Sequence, residues 1–175
     1  MIQGEAIVKK AFHFAQQAHQ GQVRKYTGEP YINHPVAVAK LVAEVCDNKE
    51  MVAAALLHDT VEDTAATILD IRREFGKTIA IWVEQLTKVS QSGHGNRAVR
   101  KALDRAHTAL ADHEAKTIKL ADVFDNIKNI AEKDPKFAQV YMQEKRDLLE
   151  VLTEGDQGLY ARVQKIIDDF FASKE

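Results

Sequence analysis

The sequence predicts an all-α protein built from about seven to nine helices. Apolar side chains recur at intervals of three and four residues along most of the chain, whereas runs that alternate with a period of two are essentially absent. Proline occurs only at the boundaries of predicted helices. At 175 residues, of which 45% are hydrophobic, the chain is long enough to bury one sizeable core. We therefore expect a single domain spanning residues 1–175.

The first predicted helix runs from Glu5 to about His19. Its apolar residues have helical spacing, and Gly21 is typical of the residue that ends a helix. Residues 22–33 lack a helical period and contain Gly28 and a proline, so we predict a loop there.

The second predicted helix begins beside His34. The next residue, Pro35, suits the first position of a helix and keeps its predecessor extended, which places His34 at or beside the N-cap. This helix runs to about Val45. Asp47 or Asn48 is then expected to cap the third helix.

Six further helices are predicted downstream of the third. Gly76 ends the first of them, and Asp134 followed by Pro135 is typical of a helix start. Asp156 is expected to cap the last one. The predicted ranges are 67–75, 78–89, 97–112, 114–132, 135–152 and 156–171.

Basic side chains share one face of the predicted 97–112 helix. We interpret this face as a solvated surface, and the alternative is a surface that contacts phosphate. The residues are Arg97, Arg100, Lys101 and Arg105.

Charge and cysteine content limit the classes of partner. Lysine plus arginine number 24 against 26 acidic residues, and the net charge of −2 argues against broad binding to nucleic acid or acidic membranes. The single cysteine, Cys46, has apolar neighbours, which predicts a buried thiol in a reducing compartment. The sequence shows neither a secretory signal pattern nor an uncharged span near the ~20 residues of a membrane helix. We expect a cytoplasmic protein, and the sequence does not indicate its oligomeric state.

Residues 53–64 combine an apolar run with a dense group of ionisable side chains. His58 and Asp59 follow the run directly, and Glu62 and Asp63 come four residues later. In a continuous helix His58 would stack over Glu62 and Asp59 over Asp63. Such groups are costly to bury unless they are paired or bind a metal. This pattern favours a divalent cation site, and the alternative is an exposed acidic helix end.

A second polar pair lies in the predicted 114–132 helix. Asp122 and Asn126 are four residues apart and project from the same side of an otherwise apolar helix, while Asp125 is expected to be exposed. The candidate metal ligands are His34, His58, Asp59 and Asp122.

These four side chains form a mixed nitrogen and oxygen set without thiolate. Such a set suits manganese, iron, cobalt, magnesium or zinc better than copper(I) or an iron–sulfur cluster. Such an ion lowers the pKa of bound water and draws charge off a phosphoryl oxygen, which makes hydrolysis the natural chemistry. Glu62 and Asp63, one turn beyond the ligands, are placed to orient or deprotonate the water or to protonate a leaving group.

The four candidate ligands resemble the metal set of the HD phosphohydrolase superfamily. The surrounding motifs are similar to the hydrolase half of the RelA/SpoT alarmone enzymes, from about residue 10 to residue 130. Within that group the chain is most similar to the stand-alone small alarmone hydrolases, including the metazoan SpoT-homologue type. The motifs are AHQGQVRK at 18–25, GEPYINHP at 28–35, ALLHDTVEDT at 55–64 and KLAD at 119–122.

The resemblance implies one HD domain, with C-terminal helices at 135–172 packed on the motif core. It also implies a manganese-dependent hydrolase that removes the 3′-diphosphate of guanosine 3′,5′-bis(diphosphate) or its pentaphosphate relative and releases pyrophosphate. The implied metal ligands are the four named above, and Glu62 and Asp63 would serve the attacking water. The implied nucleotide contacts are Arg24, Lys25, Asn126, Lys128, Tyr141 and Lys145.

The chain departs from the long bifunctional enzymes near the nucleotide contacts. Lys128 stands where they have an arginine, Asp125 stands where they have histidine or tyrosine, and the loop before His34 is one residue longer. A lysine lacks the bidentate fork of arginine, so an adenine nucleotide is an alternative to the guanine one. Two further hypotheses are a general HD nucleotidase that acts on a 5′-mononucleotide and a non-catalytic alarmone sensor.

Overall fold

Helices make up almost all regular structure in the computed structural model, which describes residues 2–173. The elements are α1 (Ile2–Ala18), α2 (Asn33–Val45), α3 (Lys49–Leu57), α4 (Thr60–Asp63), α5 (Ile68–Phe75), α6 (Lys77–Leu86), a 3-10 turn (Ser92–His94), α7 (Arg97–Ala109), α8 (His113–Ile127), α9 (Ile130–Lys133), α10 (Pro135–Leu149) and α11 (Gln157–Ala172).

The predicted all-α class is confirmed. Of the eleven α-helical elements in residues 2–173, α4 and α9 are four-residue turns, and the other nine contain eight residues or more. Across residues 2–173 there is no β-strand, and an isolated antiparallel bridge joins Val23 to Pro30. No helix in this range is both long and apolar enough to cross a membrane.

Two predicted helices are interrupted in the structure. The helix expected to run through residues 53–64 ends at Leu57, and helical structure resumes at Thr60 as α4. The helix expected over residues 114–132 ends at Ile127, and α9 follows after a two-residue break. Both predictions of a continuous helix were wrong because apolar periodicity runs across each break and local sequence does not mark it.

The chain folds as two compact units, residues 1–87 and residues 88–175. The expected single domain stays a prediction.

In the first unit, α3 is the central helix. Helices α1, α2 and α6 all pack against it, and every residue from Met51 to Leu57 is buried. A helix that is apolar on all sides is stable only when it is enclosed in this way. Asn48 caps its N-terminus by accepting hydrogen bonds from the backbone N–H groups of Glu50 and Met51. Because the C-terminus of α3 is buried, the chain that follows it begins in the interior of this unit.

The thiol of Cys46 lies just before α3. Its side chain is half-buried, so the expectation of a buried thiol was wrong. The sulfur lies 3.7 Å from Met51 Sδ.

In the second unit, α8 packs against α10 and α11. The segment before α11 passes very close to α8, because a Cβ atom added at Gly155 would lie 2.6 Å from Leu120 Cδ1. The backbone N–H of Asp156 donates to Thr117 Oγ1 at 3.0 Å. The Lys116 ammonium forms an ion pair with Glu154 beside this contact. The first half of α8 is thus held by the chain that enters α11.

Two arginines on the basic face of α7 form ion pairs with α10. Arg97 binds the Glu144 carboxylate on α10 through Nε at 2.5 Å and Nη2 at 2.9 Å. Arg105 lies 3.5 Å from Asp147, also on α10. These ion pairs form at a solvent-accessible surface, as predicted, since the side chains of Arg97 and Arg105 stay 46% and 37% exposed.

Candidate metal centre and nucleotide contacts

Three of the four predicted metal ligands converge in the first unit. His34, His58 and Asp59 each offer one ligand atom, and these three atoms all lie within 4.8 Å of one another. Both imidazoles are buried, with 2% of each residue exposed, and the Asp59 side chain is 15% exposed. Two nitrogen donors and one carboxylate oxygen therefore share a small, largely dry space.

The break between α3 and α4 makes this convergence possible. Neighbouring side chains on a regular helix point about 100° apart and do not face each other. At Asp59 the backbone leaves ideal helical geometry, with φ −98° and ψ −6°. His58 Nε2 then lies only 3.0 Å from Asp59 Oδ2. The interruption that apolar periodicity did not predict is the feature that brings these consecutive residues to one point.

Backbone contacts set the orientation of His58. Its Nδ1 lies 2.8 Å from the carbonyl oxygen of Ala55, which can only accept, so Nδ1 carries the proton. In the neutral ring Nε2 then carries a lone pair, and it faces Asp59 Oδ2. His34 Nε2 approaches the same oxygen at 3.5 Å. Two imidazole nitrogens and a carboxylate oxygen grouped in this way are donor atoms of the kind that divalent cations bind in proteins.

Tyr31 is a member of this site that sequence reasoning missed. Its hydroxyl donates to Asp59 Oδ2 at 2.6 Å. The sequence placed Tyr31 in a loop leading to His34, and no local pattern linked it to a residue 28 positions later. The only feature of the sequence that indicates a role for Tyr31 is its position three residues before the candidate metal ligand His34.

The predicted catalytic pair lies on α4, directly after Asp59. Glu62 is half-buried and Asp63 is exposed. The backbone N–H of Asp63 donates to the carbonyl oxygen of Asp59 at 2.9 Å, which connects the end of α4 to the turn at Asp59. Neither carboxylate belongs to the three-residue cluster, and their roles stay predictions.

Arg24 and Lys25 lie in a tight loop of the first unit. The Arg24 N–H donates to the Glu29 carbonyl at 2.8 Å, and the Arg24 carbonyl accepts from Gly28 N–H at 2.9 Å. Gly28 has a φ of +70°, a conformation that glycine adopts without strain. The Lys25 ammonium lies 4.8 Å from the centre of the Tyr26 ring. Their contacts with a nucleotide stay predictions.

In the second unit, the predicted pairing of Asp122 with Asn126 is confirmed. Asp122 is 5% exposed, and its Oδ1 accepts from Asn126 Nδ2 at 2.6 Å. Its Oδ2 accepts from the Lys119 ammonium at 2.8 Å. The assignment of Asp122 as a metal ligand stays a prediction.

The expectation that Asp125 is exposed was wrong. The residue is 5% exposed and accepts from the Lys128 ammonium at 2.6 Å. A buried carboxylate needs such a partner because desolvation of an isolated charge is costly. Lys128, predicted to contact the nucleotide, is therefore paired with Asp125.

Tyr141 and Lys145 lie on one face of α10, in the same charged environment as Asp122. The Lys145 ammonium lies 4.8 Å from the centre of the Tyr141 ring. Burial, and then the charge of Lys119, lower the pKa of Lys145 to about 8. Burial, and then the charge of Lys145, lower the pKa of Lys101 to about 8. Burial, and then the charge of Asp122, raise the pKa of Tyr141.

A comparison with known families decides how this arrangement is classified. The sequence profile of a family described as HD domain matches residues 11–154, which include all four predicted metal ligands. The chain belongs to the HD domain family.

Several curated relatives of this HD domain carry names of alarmone enzymes. The chain is 36% identical over 140 residues to the guanosine-3′,5′-bis(diphosphate) 3′-pyrophosphohydrolase of Aquifex aeolicus, covering 78% of this chain and 20% of the relative. It is 38% identical over 131 residues to the bifunctional (p)ppGpp synthase/hydrolase SpoT of Escherichia coli, covering 73% and 18%. It is 36% identical over 148 residues to a probable GTP pyrophosphokinase of Mycobacterium leprae, covering 84% and 18%. The chain thus spans about a fifth of these relatives.

A solved structure of similar size has the same fold. It is described as a metazoan ortholog of SpoT that hydrolyzes ppGpp and plays a role in starvation responses. The TM-score is 0.84 at 26% identity, and the match covers 94% of this HD domain protein and 95% of the other chain. The predicted resemblance to SpoT-type HD domains is confirmed.

Proposed function

We propose that this HD domain protein hydrolyses guanosine 3′,5′-bis(diphosphate) and its pentaphosphate relative. The reaction removes the 3′-diphosphate with water and yields pyrophosphate and GDP or GTP. The observation that carries the proposal is the convergence of His34, His58 and Asp59 within 4.8 Å. The names of the curated relatives and of the similar solved structure support this substrate class.

The proposed cofactor is one divalent cation, with Mn²⁺ as the preferred ion. The proposed ligands are His34, His58, Asp59 and Asp122, a nitrogen and oxygen donor set that suits manganese. When bound, such an ion lowers the pKa of a coordinated water and withdraws charge from a phosphoryl oxygen. The neutral Nε2 of His58, set by the Ala55 carbonyl, fits this role.

Glu62 and Asp63 are the proposed proton-handling residues. Their position on α4, one turn after the metal-binding residues, gives them access to a water molecule held beside Asp59. One carboxylate accepts a proton from the attacking water, and the other orients the water or protonates the leaving group.

The proposed nucleotide contacts provide positive charge for two diphosphate groups. In the second unit, the charges of Lys119 and Lys88 act on Tyr141, and the Lys145 ammonium lies 4.8 Å from the centre of its ring. In the first unit, the Arg24 guanidinium can stack on a purine, and Lys25 can meet a phosphate. The full proposed set is Arg24, Lys25, Asn126, Lys128, Tyr141 and Lys145.

A nucleotide with adenine as its base stays the second candidate substrate. Lys128 is engaged by Asp125, and a lysine offers no bidentate fork to a guanine edge. Guanine and adenine 3′-diphosphates should therefore be compared directly. We also propose a cytoplasmic location and no nucleic-acid partner, in keeping with the net charge of −2.

The decisive experiment incubates the purified protein, stripped of metal and reloaded with Mn²⁺, with guanine and adenine 3′-diphosphates and with 5′-mononucleotides. We expect pyrophosphate together with GDP or GTP from the guanine 3′-diphosphates. His58→Ala is the matched control and should release nothing. Release of orthophosphate from 5′-mononucleotides would favour a general nucleotidase. Tight binding without product would favour the sensor.

A further inference from the structure

The Asp59 carboxylate accepts a hydrogen bond from a residue that is not itself a proposed metal ligand. The Tyr31 hydroxyl donates to Asp59 Oδ2 at 2.6 Å, and this is the same oxygen that His34 and His58 approach. A hydroxyl that donates to a carboxylate at this distance forms a strong, charge-assisted hydrogen bond. It fixes the rotation of the carboxylate as well as its position.

The ring of Tyr31 is held by two histidines. His34 packs edge-on with ring centroids 5.8 Å apart, and His19 lies on another side with centroids 4.8 Å apart and an interplanar angle of 38°. His19 is 3% exposed, and its own ring is fixed through Nδ1, which lies 2.7 Å from Gln22 Oε1. Tyr31 therefore has little freedom to turn its hydroxyl away from Asp59.

We propose that Tyr31 is a positioning residue for the metal centre and that His19 acts through it. The phenol turns Asp59 Oδ2 toward the two imidazoles before a cation arrives, and the His19 ring keeps the phenol in place. Residues that orient metal ligands in this way typically change metal affinity or activity by about 10–100-fold when they are mutated. This inference rests on the proposed function only in assuming that His34, His58 and Asp59 bind a cation.

A purely structural role for Tyr31 makes a different prediction. If the hydroxyl only anchored the loop at residues 22–32, its loss would lower thermal stability and leave the affinity for Mn²⁺ unchanged. If it positions Asp59, its loss weakens Mn²⁺ binding even in protein that is fully folded. Metal affinity, measured without substrate, therefore separates the two roles.

The test titrates Mn²⁺ into metal-free, full-length protein by calorimetry, with Tyr31→Phe compared with wild type. The substitution keeps the ring and removes only the hydroxyl. We expect the dissociation constant for Mn²⁺ to rise about 10–100-fold, with the KM for nucleotide at saturating Mn²⁺ unchanged. Tyr160→Phe, which removes a hydroxyl from α11, is the matched control and should bind Mn²⁺ as wild type does.

A second variant tests the part assigned to His19. His19→Ala should weaken Mn²⁺ binding in the same direction, and adding it to Tyr31→Phe should cause little further loss, because both act through one hydroxyl. Losses that multiply in the double variant would overturn the role of His19. Wild-type affinity in Tyr31→Phe would overturn the whole inference. A wild-type protein that bound no Mn²⁺ would instead refute the proposed function itself.

Discussion

The carboxylate of Asp59 and the carboxylates on α4 have different surroundings at the predicted metal centre. Asp59 lies between two buried imidazoles and the phenol of Tyr31, whereas Asp63 is exposed one turn further on. The first arrangement suits a metal ligand, and the second suits a residue that exchanges protons with water. This difference between neighbouring acids can be tested by mutation.

Asp59→Ala and Asp63→Asn should give different kinds of inactive protein. Asp59→Ala should lose both bound Mn²⁺ and turnover, because it removes a ligand. Asp63→Asn should keep the metal and lower kcat by roughly 10²–10⁴-fold, the range typical of general acid–base catalysis. Metal analysis beside steady-state kinetics checks both, and Asp70→Asn on α5 is the control. Normal turnover by Asp63→Asn would exclude the residue from water handling.

Lys145 should make nucleotide binding depend on pH. Its pKa of about 8 means that it is cationic below that pH and becomes neutral above it. Lys101, which has a similarly lowered pKa, adds to this change, while Lys119, Lys88, Glu144 and Asp122 stand nearby. We therefore expect KM for the nucleotide to rise as pH increases from about 7 to about 9.

Arginine substitutions isolate the source of this pH dependence. Lys145→Arg keeps its charge throughout this range, so its KM should rise less than that of wild type. The remaining rise should disappear in the double variant with Lys101→Arg. An undiminished rise in the double variant would assign the titration to other groups.

At the scale of elements, α8 depends on a close contact with the segment before α11. A Cβ at Gly155 would lie 2.6 Å from Leu120 Cδ1 and 3.2 Å from the backbone carbonyl carbon of Lys116. The backbone contact cannot be relieved by a side-chain rotation. A side chain at position 155 therefore requires Leu120 to move and the backbone of α8 to shift by a few tenths of an ångström.

Gly155→Ala should lower the free energy of unfolding by about 1–3 kcal/mol, the usual cost of overpacking. Urea denaturation followed by circular dichroism measures the effect. Gly93→Ala is the matched control, because no atom lies within 4 Å of a Cβ at that position. Equal stability of the two variants would mean that the segment moves away from α8 at little cost.

Metal binding should raise the folding stability of the whole molecule. A ligand that binds only the folded state raises stability by an amount that depends on its concentration relative to Kd. The proposed ligands lie far apart in sequence, from residue 34 to residue 122, so unfolding would disperse them.

Mn²⁺ at about one hundred times its Kd should stabilise the protein by about 2.7 kcal/mol. Thermal denaturation with and without a chelator would reveal this as a shift in Tm. His58→Ala should show no such shift, since it lacks a ligand. An identical shift in wild type and in this variant would place the stabilising ion elsewhere.

Local sequence determined the all-α class, nearly all helix starts and the identity of the proposed metal ligands. Helical periodicity and caps such as Asn48 act within a few residues, so they can be recognised without knowledge of the fold. The spacing of Asp122 and Asn126 likewise predicted their contact. Each of these features depends on interactions along one stretch of backbone.

Tertiary structure alone decided the break after Leu57, the hydroxyl of Tyr31 on Asp59 and the burial of Asp125. Periodicity continues across residues 57–60, so only packing in the first unit shows that His58 and Asp59 turn toward one point. The partner of Asp59 lies 28 residues away in sequence. Contacts between distant residues depend on how helices pack, and a local pattern does not encode that geometry.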